Sequence, residues 1–250
     1  MHEAEVIIQT RDGYMDCFIC HPEERGPHPA IILYMDAPGI REELRDMTRR
    51  LATVGYYVIL PNMYYRTGRE GSYGFDLAEI RNDPAQLQAM FGVMNTLTNA
   101  LVIEDTRAML PWLRAQDAVA DGPMGCVGYC MSGRYVVSVG AEFPDDFAAI
   151  ASYYGVGIVT DQPDSPHIKA GEVKGEMYLA FAETDQHVPD EVVRDLPGIL
   201  DEAGCDYRLE VYPGTGHGFA FPMRADYVKA AGERHWERMF DLYDRKLRGR

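Results

Sequence analysis

Several features that mark other classes of protein are missing from this 250-residue sequence. It holds no run of about 18 apolar residues, so it predicts no membrane-spanning helix. The first residues show neither the basic region nor the apolar core of a secretory signal, and the expectation is a cytoplasmic protein. Lysine and arginine total 24 against 39 acidic residues, and the net charge of −15 argues against nucleic acid or an anionic membrane as a partner.

Cysteine is also scarce, and its spacing gives no disulfide framework. An odd number of cysteines suits a reducing compartment; they are Cys17, Cys20, Cys126, Cys130 and Cys205. Cys17 and Cys20, followed by His21, match the Cys-x-x-Cys-His pattern of c-type haem attachment. The run around them predicts a half-buried strand instead, on which residues three apart point to opposite faces. We therefore reject haem attachment.

What the sequence does contain is an alternation of buried strands and amphipathic helices. This predicts an α/β fold with a mainly parallel central sheet and helices on both faces, in one domain over residues 1–250. Asp12-Gly13 predicts a β-hairpin that precedes this sheet. Pro111 is expected to kink the helix that contains it or to disturb the last turns of that helix. Strands are predicted at 29–35, 56–61, 125–129, 147–154, 176–182 and 207–212, helices at 41–54, 98–116, 190–203 and the C-terminus, and irregular chain at 62–97, which can cover a pocket.

Residues 125 to 133 combine a short apolar strand with an immediate helix start. Cys130 lies at the corner, where a strained turn would push its side chain outward as in a nucleophile elbow. Gly128 supplies the first small position, and Ser132, followed by Gly133, takes the last. A single cysteine is more often a buried structural thiol, but this setting favours a nucleophile. Ser132 is a poor nucleophile candidate, since Cys130 and Arg134 would then occupy the glycine positions.

Polar residues follow other strands, and in a parallel sheet such residues meet at the carboxyl edge. His217, between two glycines, is the predicted base, because a thiol with a pKa of about 8.5 needs help to ionise. Asp185 is the predicted acid that orients it, and the order nucleophile, acid, histidine is that of α/β-hydrolases. Asp190 fits better as a helix cap, and His187 lies too near Asp185 to approach the elbow from another loop.

The oxyanion of an acyl-transfer intermediate needs hydrogen-bond donors. The backbone N–H of Met131, directly after the nucleophile, is the first predicted donor, and that of Ala37, after the early strand, is the second. Asp36 has two readings. It either ends the strand as a turn residue, or its carboxylate reaches Cys130 and helps to control the thiol.

These motifs together resemble the dienelactone hydrolase family of α/β-hydrolases. The matching pieces are Gly128-Tyr129-Cys130-Met131-Ser132-Gly133, Asp185 with Val188-Pro189, and Tyr212-Pro213-Gly214-Thr215-Gly216-His217-Gly218-Phe219. The resemblance implies a triad of Cys130, Asp185 and His217. It also implies no metal or organic cofactor, and hydrolysis of a lactone or ester through an acyl-cysteine.

The chain departs from the family pattern at the residues that hold thiol and substrate. Asp36 stands where the family has a glutamate that holds the thiol until substrate binds. Of the two arginines that bind the substrate carboxylate in the namesake enzyme, one is replaced by Phe221, and Arg81 is the candidate for the other. The lost arginine favours a less charged ester or lactone.

Two alternative functions stay open at this point. One is a broad short-chain carboxylesterase, whose apolar pocket would be lined by Tyr64, Tyr65, Phe219 and Phe221. The other is a protein without turnover that binds a hydrophobic ligand or senses oxidants through Cys130. The expected partner is a small-molecule ester or lactone, and the expected assembly is a monomer or homodimer.

Overall fold

The computed structural model describes residues 1–249 of the chain. Their contacts divide them into two compact units, Met1–Asp121 and the part that begins at Gly122. Across the described residues, no helix combines the length and apolar character needed to cross a membrane.

The first unit holds four strands and three helices. Its strands lie in the order β1, β2, β4, β3, with β3 and β4 parallel and the other two pairs antiparallel. The two parallel strands, β3 and β4, are fully buried, as their apolar runs predict. The elements are β1 His2–Thr10, β2 Gly13–His21, β3 Ala30–Tyr34, α1 Glu42–Thr53, β4 Tyr57–Pro61, α2 Pro84–Met94 and α3 Asn99–Arg114.

Helix α2 lies in the segment predicted to be irregular, so that prediction is wrong for Pro84–Met94. Asp83 caps its first turn by accepting a hydrogen bond from the backbone of Ala85. Met90 is its one buried residue, and a helix without an apolar stripe gives no periodic signal. Pro111 is also predicted to disturb its helix. Helix α3 continues past Pro111 to Arg114, so the proline does not end the helix.

The second unit is a parallel sheet of four strands in the order β5, β6, β7, β8. Strand β8 runs on to Gly216, beyond the predicted end at residue 212, and Pro213 is tolerated because β8 has a partner on one side only within this unit. The elements are β5 Met124–Tyr129, α4 Ser132–Glu142, β6 Phe147–Tyr153, a 3-10 helix Pro166–Glu172, β7 Glu176–Thr184, α5 Asp190–Glu202, β8 Tyr207–Gly216 and α6 Lys229–Leu247.

The parallel arrangement places the ends of β5, β7 and β8 at one edge of this sheet. Cys130 directly follows β5, Asp185 follows β7, and His217 follows β8. Helix α6 packs closely behind β5, since a side chain at Gly125 would meet the ring of Tyr243 at 2.8 Å. The edge that carries these polar residues is therefore supported by a tightly packed core.

Candidate active site

The turn between β5 and α4 has the strained backbone of a nucleophile elbow. Cys130 has a φ of 55°, in the region that only glycine adopts readily. Its N–H donates to the carbonyl of Tyr153 at 3.1 Å, and its own carbonyl accepts from Gly133 and Val156. Three backbone hydrogen bonds thus hold a conformation that would otherwise relax, which is the arrangement expected where strain serves a function.

Small residues around Cys130 are required by direct backbone contact. A Cβ on Gly128 would lie 2.3 Å from the carbonyl oxygen of Ser132, and one on Gly133 would lie 2.3 Å from the Cα of Gly155. Ser132 itself fits, fully buried at the start of α4. The close approach of α4 to the chain after β6 is therefore made at Gly133, one position later than in the usual elbow pattern.

Asp185 and His217 lie in direct contact, as their positions after neighbouring strands predict. Nδ1 of His217 is 2.7 Å from Oδ2 of Asp185. The other carboxylate oxygen, Oδ1, accepts the backbone N–H of His187 at 2.8 Å. With both oxygens engaged and both side chains less than a tenth exposed, the carboxylate fixes the orientation and the tautomer of the imidazole.

The surroundings of His217 favour its protonated form. Burial lowers the pKa of His217, but the hydrogen bond to Asp185 and the nearby sulfur of Cys130 outweigh burial and raise the pKa to about 9. The second ring nitrogen, Nε2, is buried and forms no hydrogen bond of ordinary geometry within residues 1–249. Nε2 is therefore the ring nitrogen that remains open to a further hydrogen-bonding group.

A polar cavity of about 540 Å³ opens beside His217. His217 is the one predicted site residue among those that line it, and His187 and Arg224 are among the lining residues that the sequence does not predict. The short spacing from Asp185 argued against His187, yet its ring packs on that of His217 from within the same loop, at 4.7 Å between centroids. The lining residues are Glu183, Thr184, Gln186, His187, Gly214, Thr215, Gly216, His217, Arg224 and Asp226.

Asp36 is fully buried and is held by an arginine that the sequence reading overlooked. Its two carboxylate oxygens lie 2.5 and 3.2 Å from the guanidinium nitrogens of Arg41. Its backbone carbonyl accepts from Gly39, so it also begins a turn after β3. Burial lowers the pKa of Arg41, but the charges of Asp36 and Glu43 raise it above its ordinary value. Asp36 therefore begins a turn, and its control of the Cys130 thiol stays a prediction.

The predicted oxyanion donors lie in two different local settings. Met131 precedes the first residue of α4 and has helical backbone angles, so it belongs to the start of a helix, where N–H groups point outward. Ala37 is buried in the turn after β3, and its carbonyl accepts the hydroxyl of Tyr64 at 2.8 Å. Tyr64 thus supports this turn through a hydrogen bond.

The other residues predicted to bind substrate have local contacts of their own. Tyr65 donates to Asp105 and also bonds Thr10. Phe219 stacks on Tyr212 at 4.7 Å and is fully buried, Phe221 is likewise buried against Tyr129, and Arg81 is exposed. The aromatic residues are explained by packing, since apolar residues after a strand fill a core as readily as a pocket.

Arg134, in the first turn of α4, is a further residue that the sequence reading passed over as a binding group. Its guanidinium lies over the ring of Tyr135 at 4.8 Å and donates to that hydroxyl at 2.8 Å. Its Nε is buried without a hydrogen-bond partner among the described residues, and no carboxylate of residues 1–249 forms an ion pair with it. A cation in the first turn also opposes the helix dipole, so this position suits an added anion.

Comparison with known proteins adds to this geometry. Residues 15–247 match the model described as the dienelactone hydrolase family. A protein of Synechocystis named "Putative carboxymethylenebutenolidase" is 25% identical over 246 residues, covering 97% of this chain and 96% of that one. A protein of the same name from Methylorubrum extorquens is 27% identical, covering 96% of this chain and 80% of that one.

Solved structures agree on the fold. A crystal structure from Klebsiella pneumoniae titled "Putative Dienelactone Hydrolase" superposes with a TM-score of 0.84 at 24% identity, covering 97% of this chain and 98% of that one. A dienelactone hydrolase-like promiscuous phosphotriesterase from metagenomic libraries gives 0.76 at 20% identity, covering 98% and 99%. These similarities confirm the predicted α/β-hydrolase fold.

Proposed function

Because the chain belongs to the dienelactone hydrolase family, we propose that it hydrolyses a small lactone or ester with Cys130 as nucleophile, through an acyl-cysteine. The resemblance predicted from the motifs is confirmed, and so is its class of activity, an ester or lactone hydrolase acting on a small molecule. The cysteine nucleophile, the catalytic triad and the identity of the substrate are more specific than that class, and they are what we propose.

One observation carries the proposal, the buried pair of Asp185 and His217 beside the strained Cys130. Asp185 fixes Nδ1 of His217, which leaves Nε2 to exchange a proton with the thiol. Cys130 influences the pKa of His217, so the sulfur is near enough to interact with the ring. A nucleophile, a base and an orienting acid in this relation are the parts that acyl transfer requires.

The first half of the cycle forms the acyl-enzyme. Nε2 of His217 takes the proton of the thiol, and the sulfur of Cys130 attacks the substrate carbonyl carbon while the C=O electron pair moves to oxygen. The backbone N–H of Met131 donates to this oxyanion; Ala37 stays the predicted second donor. As the carbonyl re-forms, the C–O bond of the ester breaks, and His217 gives its proton to the departing alkoxide.

The second half regenerates the thiol. His217, now neutral, takes a proton from water, whose oxygen attacks the acyl-cysteine carbonyl. The carbon–sulfur bond breaks, the acid leaves, and protonated His217 returns its proton to the sulfur of Cys130. The raised pKa of His217, about 9, makes its ring a strong enough base to take the thiol proton, and proton transfer to a base is what makes a cysteine nucleophilic.

The lost arginine favours a less charged substrate, but Arg134 supports one with an anionic group. It stands in the helix that begins right after the nucleophile, and it has no carboxylate partner among residues 1–249. A bound carboxylate would supply a partner for its guanidinium, and charge-assisted hydrogen bonds of this kind are among the stronger ones. A neutral ester would leave the guanidinium of Arg134 without a carboxylate partner. The carboxylesterase alternative predicts this outcome.

The test is hydrolysis of a dienelactone, a neutral lactone and short p-nitrophenyl esters by wild type, Cys130→Ala and Cys130→Ser, with folding checked by circular dichroism. The expected result is turnover that is lost in Cys130→Ala, and an acyl adduct on Cys130 in a mass spectrum of quenched wild type. Preference for neutral esters would favour the carboxylesterase. Full activity of Cys130→Ala would refute the mechanism, and a reactive thiol with no turnover would favour oxidant sensing.

A further inference from the structure

His187 is an exposed residue whose ring contacts His217, and no step of the proposed mechanism uses it. Its backbone N–H holds one oxygen of Asp185, and its ring packs edge to face on His217 at an interplanar angle of 71°. It also lines the polar cavity, so it contacts whatever enters from solvent. The residue thus touches both the acid and the base of the predicted triad.

We propose that His187 is a positioning residue that supports catalysis only in its neutral form. Neutral His187 packs against charged His217 and holds the ring in line with Asp185. Protonated His187 would place a second imidazolium beside the first, and like charges at this distance disfavour each other. This inference rests on the proposed function, in which His217 exchanges protons with Cys130.

Neighbouring groups keep His187 neutral in the resting protein. Its Nε2 lies 3.3 Å from the side-chain amide of Gln186, where an unprotonated nitrogen can accept. Burial lowers the pKa of His187 below its ordinary value, His217 and Arg224 lower it further, and Asp185 opposes them. The remaining titratable groups of the cavity are Glu183 and Asp226.

The consequence is an additional ionisation on the acid side of the pH profile of kcat/KM. As pH falls through the lowered pKa of His187, a second imidazolium forms beside that of His217, and the repulsion between the two rings moves His217 out of line with Asp185. His187→Phe keeps a ring of similar shape but has no charge to gain. In that variant the acid limb of kcat/KM is expected to move down by about one pH unit or more.

Loss of the ring and loss of the charge are distinguishable by the choice of side chain. His187→Ala removes the packing surface, so kcat is expected to fall by about 10-fold at every pH while KM changes little. His187→Phe is expected to recover most of that loss above neutral pH. His167→Phe is the matched control, because His167 bonds Ser165 in the 3-10 helix region and is expected to leave the profile unchanged.

A second measurement does not depend on turnover. Nitrogen-detected titration of the histidine rings in the resting protein follows His187 directly. In His217→Asn the pKa of His187 is expected to rise by about one unit, because a neighbouring cation is gone, and the rise in Arg224→Gln is expected to be smaller.

The two measurements separate the failure of this inference from failure of the proposed function. If the protein is inactive but the pKa of His187 still rises in His217→Asn, the coupling between the two rings stands and the hydrolase mechanism is refuted. An active enzyme whose acid limb is the same in wild type and His187→Phe, or a His187 whose titration ignores His217→Asn, would overturn the positioning role.

Discussion

Nδ1 of His217 lies 2.7 Å from Oδ2 of Asp185, and the two side chains are only 9% and 4% exposed. A hydrogen bond with so little solvent around it controls both where the ring points and which nitrogen carries the proton. The nearby sulfur of Cys130 also raises the pKa of the ring. The site therefore keeps an imidazolium where water alone would not.

Asp185→Asn is expected to lower kcat/KM by about 10³-fold, because an amide can present the wrong hydrogen-bonding group to Nδ1 and cannot stabilise the imidazolium. The pKa of His217 is expected to fall in the same variant. Steady-state kinetics and histidine NMR measure the two effects. Asp190→Asn is the matched control, since Asp190 opens α5 and carries no role in orienting the base. If kcat/KM falls further in Asp190→Asn than in Asp185→Asn, Asp190 and not Asp185 is the acid that orients His217.

The pH dependence of stability follows from the raised pKa of His217. The folded protein binds this proton more tightly than the unfolded chain, whose histidine has the ordinary value of 6.5. The stabilisation is complete below pH 6.5 and is lost as pH rises through about 9. Urea unfolding of wild type and His217→Asn across this range measures it. The stability difference between the two is expected to shrink with rising pH, and a constant difference would contradict the assignment.

Gly133→Ala is expected to destabilise the protein by about 2 to 4 kcal/mol, because overlapping backbone atoms must move apart. The new Cβ would lie 2.3 Å from the Cα of Gly155, which no side-chain rotation can relieve. Gly198→Ala is the control. A Cβ there meets nothing within 4 Å, inside α5, and is expected to stabilise slightly. Chemical denaturation of both variants compares them, and equal stability would show that α4 and the chain after β6 can separate at low cost.

The parts of the site that sequence predicted are those with a local signal. Cys130 stays a predicted nucleophile, and its signal is a strand, a glycine and a helix start within a few residues; Asp185 and His217 stay predicted partners, and the signal of each is its place after a buried strand. Parallel pairing then brings strand ends together, so their contact could be expected from order alone. Helix α2 has no apolar stripe, and for that reason it gave no signal.

The parts that sequence missed depend on which side chains meet across loops. His187 was set aside on its spacing from Asp185, but the turn folds its ring onto His217. Arg41 gave no motif, yet it holds Asp36 with both nitrogens. The aromatic residues predicted to form a pocket, Phe219 and Phe221, are core residues, because composition does not tell which face of a loop is covered.

Arg134 provides the test of substrate charge. Arg134→Gln keeps length and hydrogen-bonding capacity but removes the charge, so the ratio of kcat/KM for a carboxylate-bearing lactone to that for a neutral ester is expected to fall by about 10- to 100-fold. Arg194→Gln is the control, because Arg194 is exposed and paired with Asp195. An equal loss on both substrates would mean that Arg134 acts through its contact with Tyr135, as support for α4 rather than as an anion site.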